Sequence, residues 1–177
     1  MEREITTSVG IIVERRESAS PWIDHVWTAP AVVPDAPPTD GWQLLQQGDG
    51  FVRYHYAPVP VTLHRKLGEA YDANVETEAP SLWILLDDAD TDPVPYKVRG
   101  VTADPYEAMG VLDSGEGLVE RVPMPAELVR WMAGYLKQMP EPEKFRKRKR
   151  TAATVDEPQF GKEPIFDQRN RPEGQGQ

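Results

Sequence analysis

Phe51-Val52-Arg53-Tyr54-His55-Tyr56-Ala57-Pro58-Val59-Pro60-Val61-Thr62-Leu63-His64-Arg65-Lys66 is the stretch on which the fold turns. Apolar and polar residues alternate on both sides of Ala57-Pro58, the period of a β-strand whose two faces meet different surroundings. Read as two strands, Phe51 to Tyr56 and Val59 to Lys66, joined at Ala57-Pro58, the stretch pairs Val52 with Leu63, Tyr54 with Val61 and Tyr56 with Val59. Those six residues form one apolar face, and Phe51, Arg53, His55, Pro60, Thr62 and His64 form the opposite one. Proline at turn and strand positions places this hairpin at a sheet edge.

Working outward, Ile5 to Arg16 and Trp22 to Val33 read as a first hairpin across the turn-like Glu17-Ser18-Ala19-Ser20-Pro21. Pro34 to Gly41 carries three prolines and a glycine and reads as a loop, and Trp42 to Gln47 as a single helical turn. Ser81 to Leu86 is continuously apolar between Pro80 and Asp87-Asp88, which suits a central strand buried on both faces, and Val94 to Thr102 is the sixth strand candidate. Asp104-Pro105-Tyr106-Glu107 has the N-cap acid, first-turn proline and third-position glutamate of a capping box, with Gly115 as a stop. From Pro125, Leu128, Trp131, Met132, Tyr135, Leu136 and Met139 fall on one helical face before Pro140. The expectation is an α+β domain over residues 1–143: an antiparallel sheet or partial barrel of about six strands, covered by two C-terminal helices. Residues 144–177, rich in Pro, Gly, Gln and charge, cannot bury enough surface to offset their ordering entropy and are expected to be a disordered tail unless bound.

Charge divides in the same way. Residues 1–143 hold 11 Lys and Arg against 24 Asp and Glu, whereas residues 144–177 hold 9 against 5. An acidic body repels phosphate backbones, so a nucleic-acid contact would have to come from Lys144, Arg146, Lys147, Arg148, Lys149 and Arg150. That run reads equally well as a contact for an acidic protein surface or as a solvated spacer. The chain has no cysteine. Disulfides, iron–sulfur ligation, sulfur relay and cysteine nucleophiles are thereby excluded. Met1-Glu2-Arg3-Glu4-Ile5 lacks the apolar core of an export signal, and no stretch approaches the ~20 apolar residues of a membrane span, so a cytoplasmic location without membrane contact is expected.

Candidate chemistry is sparse. His55 and His64 share a face of the hairpin, and Asp49 or Glu69 could complete a metal site, but the spacing is not diagnostic and solvated strand histidines account for both. Asp88 to Asp92 imitates a calcium loop until Pro93 and Arg99 occupy the glycine and glutamate positions. Asp113-Ser114-Gly115 reads as the exit of a helix, and no nucleotide motif or nucleophile elbow calls for a cofactor. Trp83 and Trp131 take core positions, while Trp22, Trp27 and Trp42 lie beside turns or among polar residues. These three serve either core packing or an aromatic partner-facing patch. The candidate partner-binding residues are therefore Trp22, Trp27, Arg53, His55, His64, Arg65, Glu69 and Tyr71.

Val13-Glu14-Arg15-Arg16, Pro21-Trp22 with Trp27, Leu63-His64-Arg65 with Glu69-Ala70-Tyr71 and Asn74, Val101 to Ala108, and Leu112-Asp113-Ser114-Gly115 running to Val122-Pro123-Met124-Pro125 together resemble an uncharacterised bacterial family encoded beside formate dehydrogenase genes and their maturation factors. The resemblance brings no catalytic residues with it. It implies an accessory protein whose partner is a subunit of that molybdenum or tungsten enzyme, or one of its maturation factors. Without cysteine such a role would operate through binding.

Overall fold

The computed structural model describes residues 2–140, so the readings that concern Lys144–Arg150 and the remainder of the tail lie outside the described residues. In chain order the elements are β1 (Glu4–Glu17), β2 (His25–Pro34), β3 (Gln43–Gly48), β4 (Phe51–His64), a short 3-10 turn (Arg65–Leu67), α1 (Gly68–Val75), β5 (Ser81–Asp88), β6 (Tyr96–Thr102), α2 (Pro105–Asp113), β7 (Leu118–Pro123) and α3 (Ala126–Leu136). The strands form two antiparallel sheets, β2-β1-β4-β3 and β6-β5-β7. The α+β expectation holds, with seven strands rather than six and three helices rather than two among the described residues. The two sheets share one core. β2 approaches β7 and β4 approaches β6, but among the described residues no ladder joins the sheets and the barrel is not closed.

The expected Phe51–Lys66 hairpin is one continuous strand. β4 pairs with β1 along its whole length, from Phe51 opposite Arg16 to His64 opposite Glu4. Between Val9, opposite Val59, and Ile11, opposite Tyr56, β4 carries one residue more than β1, a β-bulge at Ala57-Pro58. One extra residue shifts the inside-outside alternation by one. Val52, Tyr54, Tyr56, Val59, Val61 and Leu63 therefore all pack toward the core although they lie on a single strand. The faces are as expected, but the connection between them is not. β3 covers only Phe51 to His55 on the other side of β4, leaving the rest of that side without a strand partner among the described residues. Pro60 stands in this open half, where a missing N–H forfeits no ladder bond. His64, on the same alternation, turns its N–H away from β1 to the Tyr71 hydroxyl at 3.1 Å.

The Pro34–Gly41 loop straps the outer side of the bulge. Thr39 N–H donates to Ala57 O at 2.9 Å and Ala57 N–H donates to Thr39 Oγ1 at 3.1 Å, so the backbone groups displaced by the bulge are satisfied. Beneath the strap a side chain at Gly10 would bring its Cβ to 2.5 Å from the Ala36 Cβ. Trp42 does not open a helical turn. Its indole Nε1 donates to Tyr96 O at 2.9 Å and its ring lies against Tyr56, anchoring the start of β3 to the second sheet.

β5 is the central strand of its sheet and is buried on both faces, as its unbroken apolar run predicts. Leu82, Ile84 and Leu86 join the shared core, and Leu85 packs with Ala108 and Val111 of α2. Asp104 caps α2 by accepting from Tyr106 N–H at 2.9 Å. The box is only half formed, because the Asp104 N–H bonds Thr102 Oγ1 rather than Glu107. Leu128, Met132 and Tyr135 of α3 and Tyr71 of α1 complete the core beside β1 and β4. Asn74 of α1 locks the second sheet to these helices. Its Nδ2 donates to Ser81 O (2.8 Å) and Ala103 O (2.9 Å), while its Oδ1 accepts from Ser81 N–H (3.0 Å).

Candidate partner-binding face

The outer face of the four-stranded sheet ends in two cross-strand rows. Val26, Arg16 and Phe51 lie opposite one another on β2, β1 and β4, and the next row holds Thr28, Glu14, Arg53 and Gln46. Phe51 lies over Gly48, where any Cβ would collide with its ring. The Arg16 and Arg53 guanidinium groups stand 5.4 and 5.2 Å from the Phe51 ring centroid, within cation–π range.

Glu14 holds both arginines in place. It is 4% exposed, and its carboxylate accepts from Arg16 Nε through one oxygen and from Arg53 Nε, at 2.7 Å, through the other. Burial, the largest single influence, pushes its pKa up. The hydrogen bonds and charges of Arg53 and Arg16 together outweigh it and hold the carboxyl below its ordinary value. Arg53 Nη1 also reaches Gln46 Oε1 at 3.1 Å, tying β3 to the cluster. Its members are thus positioned before any partner arrives, which lowers the entropy cost of binding.

Beside this cluster the β1–β2 turn projects apolar surface into solvent. Glu17 N–H donates to Gly50 O, Ser18 N–H to Asp24 O, Ser20 N–H to Ser18 Oγ and Trp22 N–H to Ser20 Oγ, so the turn is held by its own bonds and by the β3–β4 turn. It presents Trp22 at 91% exposure, with Ile23 and Val26 also exposed. Covering a tryptophan of this exposure is worth roughly 3–5 kcal/mol before entropic costs, against about 0–1 kcal/mol for a rim ion pair. The indole therefore dominates what this face can offer a partner.

The other expected site residues divide by position. Trp27 is half-buried between the Tyr54 and Tyr96 rings at centroid distances of 6.2 and 6.1 Å, so it belongs to the core and not to the exposed patch. Arg53 belongs to the cluster above, and His55 lies two residues further along β4. His64, Arg65, Glu69 and Tyr71 gather at the far end of β4 and in the turn and helix that follow it. His55 and His64 are nine residues apart on one strand, roughly 30 Å at the usual rise, so they cannot ligate one metal ion as the hairpin reading allowed. His64 Nδ1 instead lies 3.0 Å from Glu4 Oε1.

His64 and Tyr71 also line a cavity of about 350 Å³ between the open half of β4 and the edge of β6, together with Thr62, Arg99 and Glu107. Arg65 lines a separate hollow with Arg3 and Lys66. Burial pushes the Tyr71 hydroxyl above its ordinary pKa against the lowering effect of the bond from His64 N–H. Ser114 Oγ donates to Val111 O at 2.7 Å to finish α2, as the helix-exit reading expects. Ser81 Oγ accepts from Arg121 Nε at 2.8 Å. Sequence reasoning missed Glu14 as the organiser of the arginines, although Glu14, Arg16 and Arg53 share one face once β1 and β4 are paired.

The arrangement defines an open two-sheet α+β protein with a preorganised arginine–aromatic cluster and an exposed tryptophan beside it. Residues 8–149 match the family model described as a protein of unknown function, DUF3305, and the chain belongs to that family. No curated protein and no solved structure matches it. No helix among the described residues is long and apolar enough to cross a membrane.

Proposed function

We propose that the chain is a non-catalytic accessory or assembly factor that binds another protein through the Trp22 face. The observation that carries this reading is the tryptophan exposed at 91% on a turn fixed by backbone bonds, beside two arginines already oriented over Phe51. Tryptophan and arginine are the residues on which binding energy concentrates when they enter a partner's pocket. The resemblance to proteins encoded beside formate dehydrogenase genes directs the search to a subunit of that molybdenum or tungsten enzyme or to one of its maturation factors, in the cytoplasm. A chain without cysteine contributes by holding such a partner and not by relaying sulfur to it.

Native affinity purification of the tagged chain from its own host tests this. Recovery of a formate dehydrogenase subunit or maturation factor is the expected result. Repeated recovery of no specific protein contradicts the reading, and recovery of nucleic acid that is lost at raised salt transfers the function to Lys144–Arg150.

A further inference from the structure

The second exposed apolar surface lies on α2, on the other sheet. Tyr106, Met109 and Leu112, at i, i+3 and i+6, are 71%, 58% and 60% exposed, while Ala108 and Val111 of the same helix are buried against Leu85. Three large side chains in one solvent-facing row exceed the scattered exposure expected of an ordinary surface helix.

The charge around this row is predominantly negative. From Leu67 to Tyr96 there are eight acids and no Lys or Arg, and from Gly100 to Glu120 the chain again has no basic residue. Gly117 N–H donates to Asp88 Oδ2 at 2.9 Å, drawing the turn after α2 against the end of β5. Asp113 and Glu116 are thereby brought to the side of the domain that carries Asp87, Asp88, Asp90 and Asp92. Among the described residues, two cations stand by these six carboxylates: Arg99, 3.3 Å from Asp87 Oδ1, and Lys97, which lies opposite Asp87 across the ladder. The C-terminal end of α2 adds its own negative dipole at this end of the row. Anionic lipid and nucleic acid are repelled there, and a cationic segment is attracted.

We propose that α2 is a docking surface for a peptide segment of a partner protein that carries Lys or Arg next to Leu- or Phe-type anchors. The anchors lie along Tyr106, Met109 and Leu112, and the basic residues reach the carboxylates beyond Leu112. This surface is independent of Trp22, so the chain would hold two polypeptide elements at once, as an assembly factor requires.

The test titrates the full-length chain into a fluorescein-labelled 14-residue amphipathic peptide of Leu and Lys, read by fluorescence anisotropy, with a Leu/Glu peptide as its counterpart. Binding of the Leu/Lys peptide at 50 mM NaCl is expected, weakening about tenfold at 500 mM as the carboxylates are screened. Met109→Ser with Leu112→Ser is expected to weaken it about tenfold through the lost anchors. Asp113→Asn with Glu116→Gln should flatten the salt dependence, and Trp22→Ser should leave binding unchanged. All of these side chains are exposed, so the variants are expected to fold, and circular dichroism checks that they do. No binding, equal binding of the Leu/Glu peptide, or affinity indifferent to Met109→Ser with Leu112→Ser overturns the proposal. So does a chain that self-associates and becomes monomeric in that double variant, which would assign α2 to a second copy.

Discussion

Asn74→Ala is the most informative test of how the second sheet is held. The Asn74 amide makes three hydrogen bonds at 2.8–3.0 Å, two with the backbone of Ser81 and one with Ala103 O, at a side chain only 5% exposed. Alanine removes all three and leaves a buried N–H and two carbonyls without that partner. A buried group left unsatisfied costs about 1–3 kcal/mol, and part of this is recovered if water enters, so a loss of about 3 kcal/mol is expected. At this chain length that lowers the midpoint by roughly 6–12 °C, measurable by differential scanning calorimetry with parallel urea unfolding. Asn74→Asp supplies a sharper control, because a carboxylate can accept from Ser81 N–H but cannot donate to the two carbonyls. Its deficit against wild type should shrink as pH falls and the acid protonates into a donor. A loss below about 0.5 kcal/mol for alanine, the scatter of ordinary surface changes, would refute the claim that this amide ties α1 to β5.

Three further outcomes are expected. Because the Glu14 carboxyl sits below its ordinary pKa in the folded state, its contribution to stability is complete above the unfolded value of about 4.3 and is lost as pH falls through the folded value. Glu14→Gln should therefore cost about 2 kcal/mol at pH 7 and progressively less toward pH 3 in urea titrations, and a deficit independent of pH would contradict the ion-pair account. Gly117 has φ +73° and would place a Cβ 2.0 Å from Leu86 O, so Gly117→Ala is expected to cost about 2 kcal/mol or more by the same assay. Gly10→Ala should cost about 1–3 kcal/mol by pushing the Ala36 strap off the bulge, seen as faster amide exchange at Thr39 and Ala57.

Particular residues show how much of this was legible in the sequence. The inside and outside faces of Phe51–His64 were readable from alternation, yet the alternation could not separate a tight turn at Ala57-Pro58 from a bulge, since each shifts the parity by one residue. The strand's role in the sheet depended on that choice, so the expected edge hairpin became a strand paired along its whole length with β1. Ser81–Leu86 was legible because burial on both faces leaves an unbroken apolar run. The Asp104 cap and the α3 face were legible because each has local chemistry.

Other elements carried no such signal. β3 is exposed at every residue and has no inward face to create a period. β7 places Glu120, whose pKa burial raises, opposite Ile84 and so breaks its apolar row. α1 is eight residues long, begins at Gly68, and is fixed by Asn74 and Tyr71 contacts to distant backbone rather than by an apolar stripe. At the candidate face, Trp22 was legible as a turn tryptophan, whereas separating it from Trp27 required knowing that Tyr54 and Tyr96 would close around the latter.

The central claim, that the Trp22 face holds a protein partner, is tested most directly by measuring the affinity of the co-purified partner for wild-type chain and for Trp22→Ser. An indole that anchors the interface predicts a loss of about 30-fold or more, the level that marks a binding hot spot, with the unfolding midpoint unchanged because the side chain is 91% exposed. Equal affinity of the two proteins for that partner would contradict the claim.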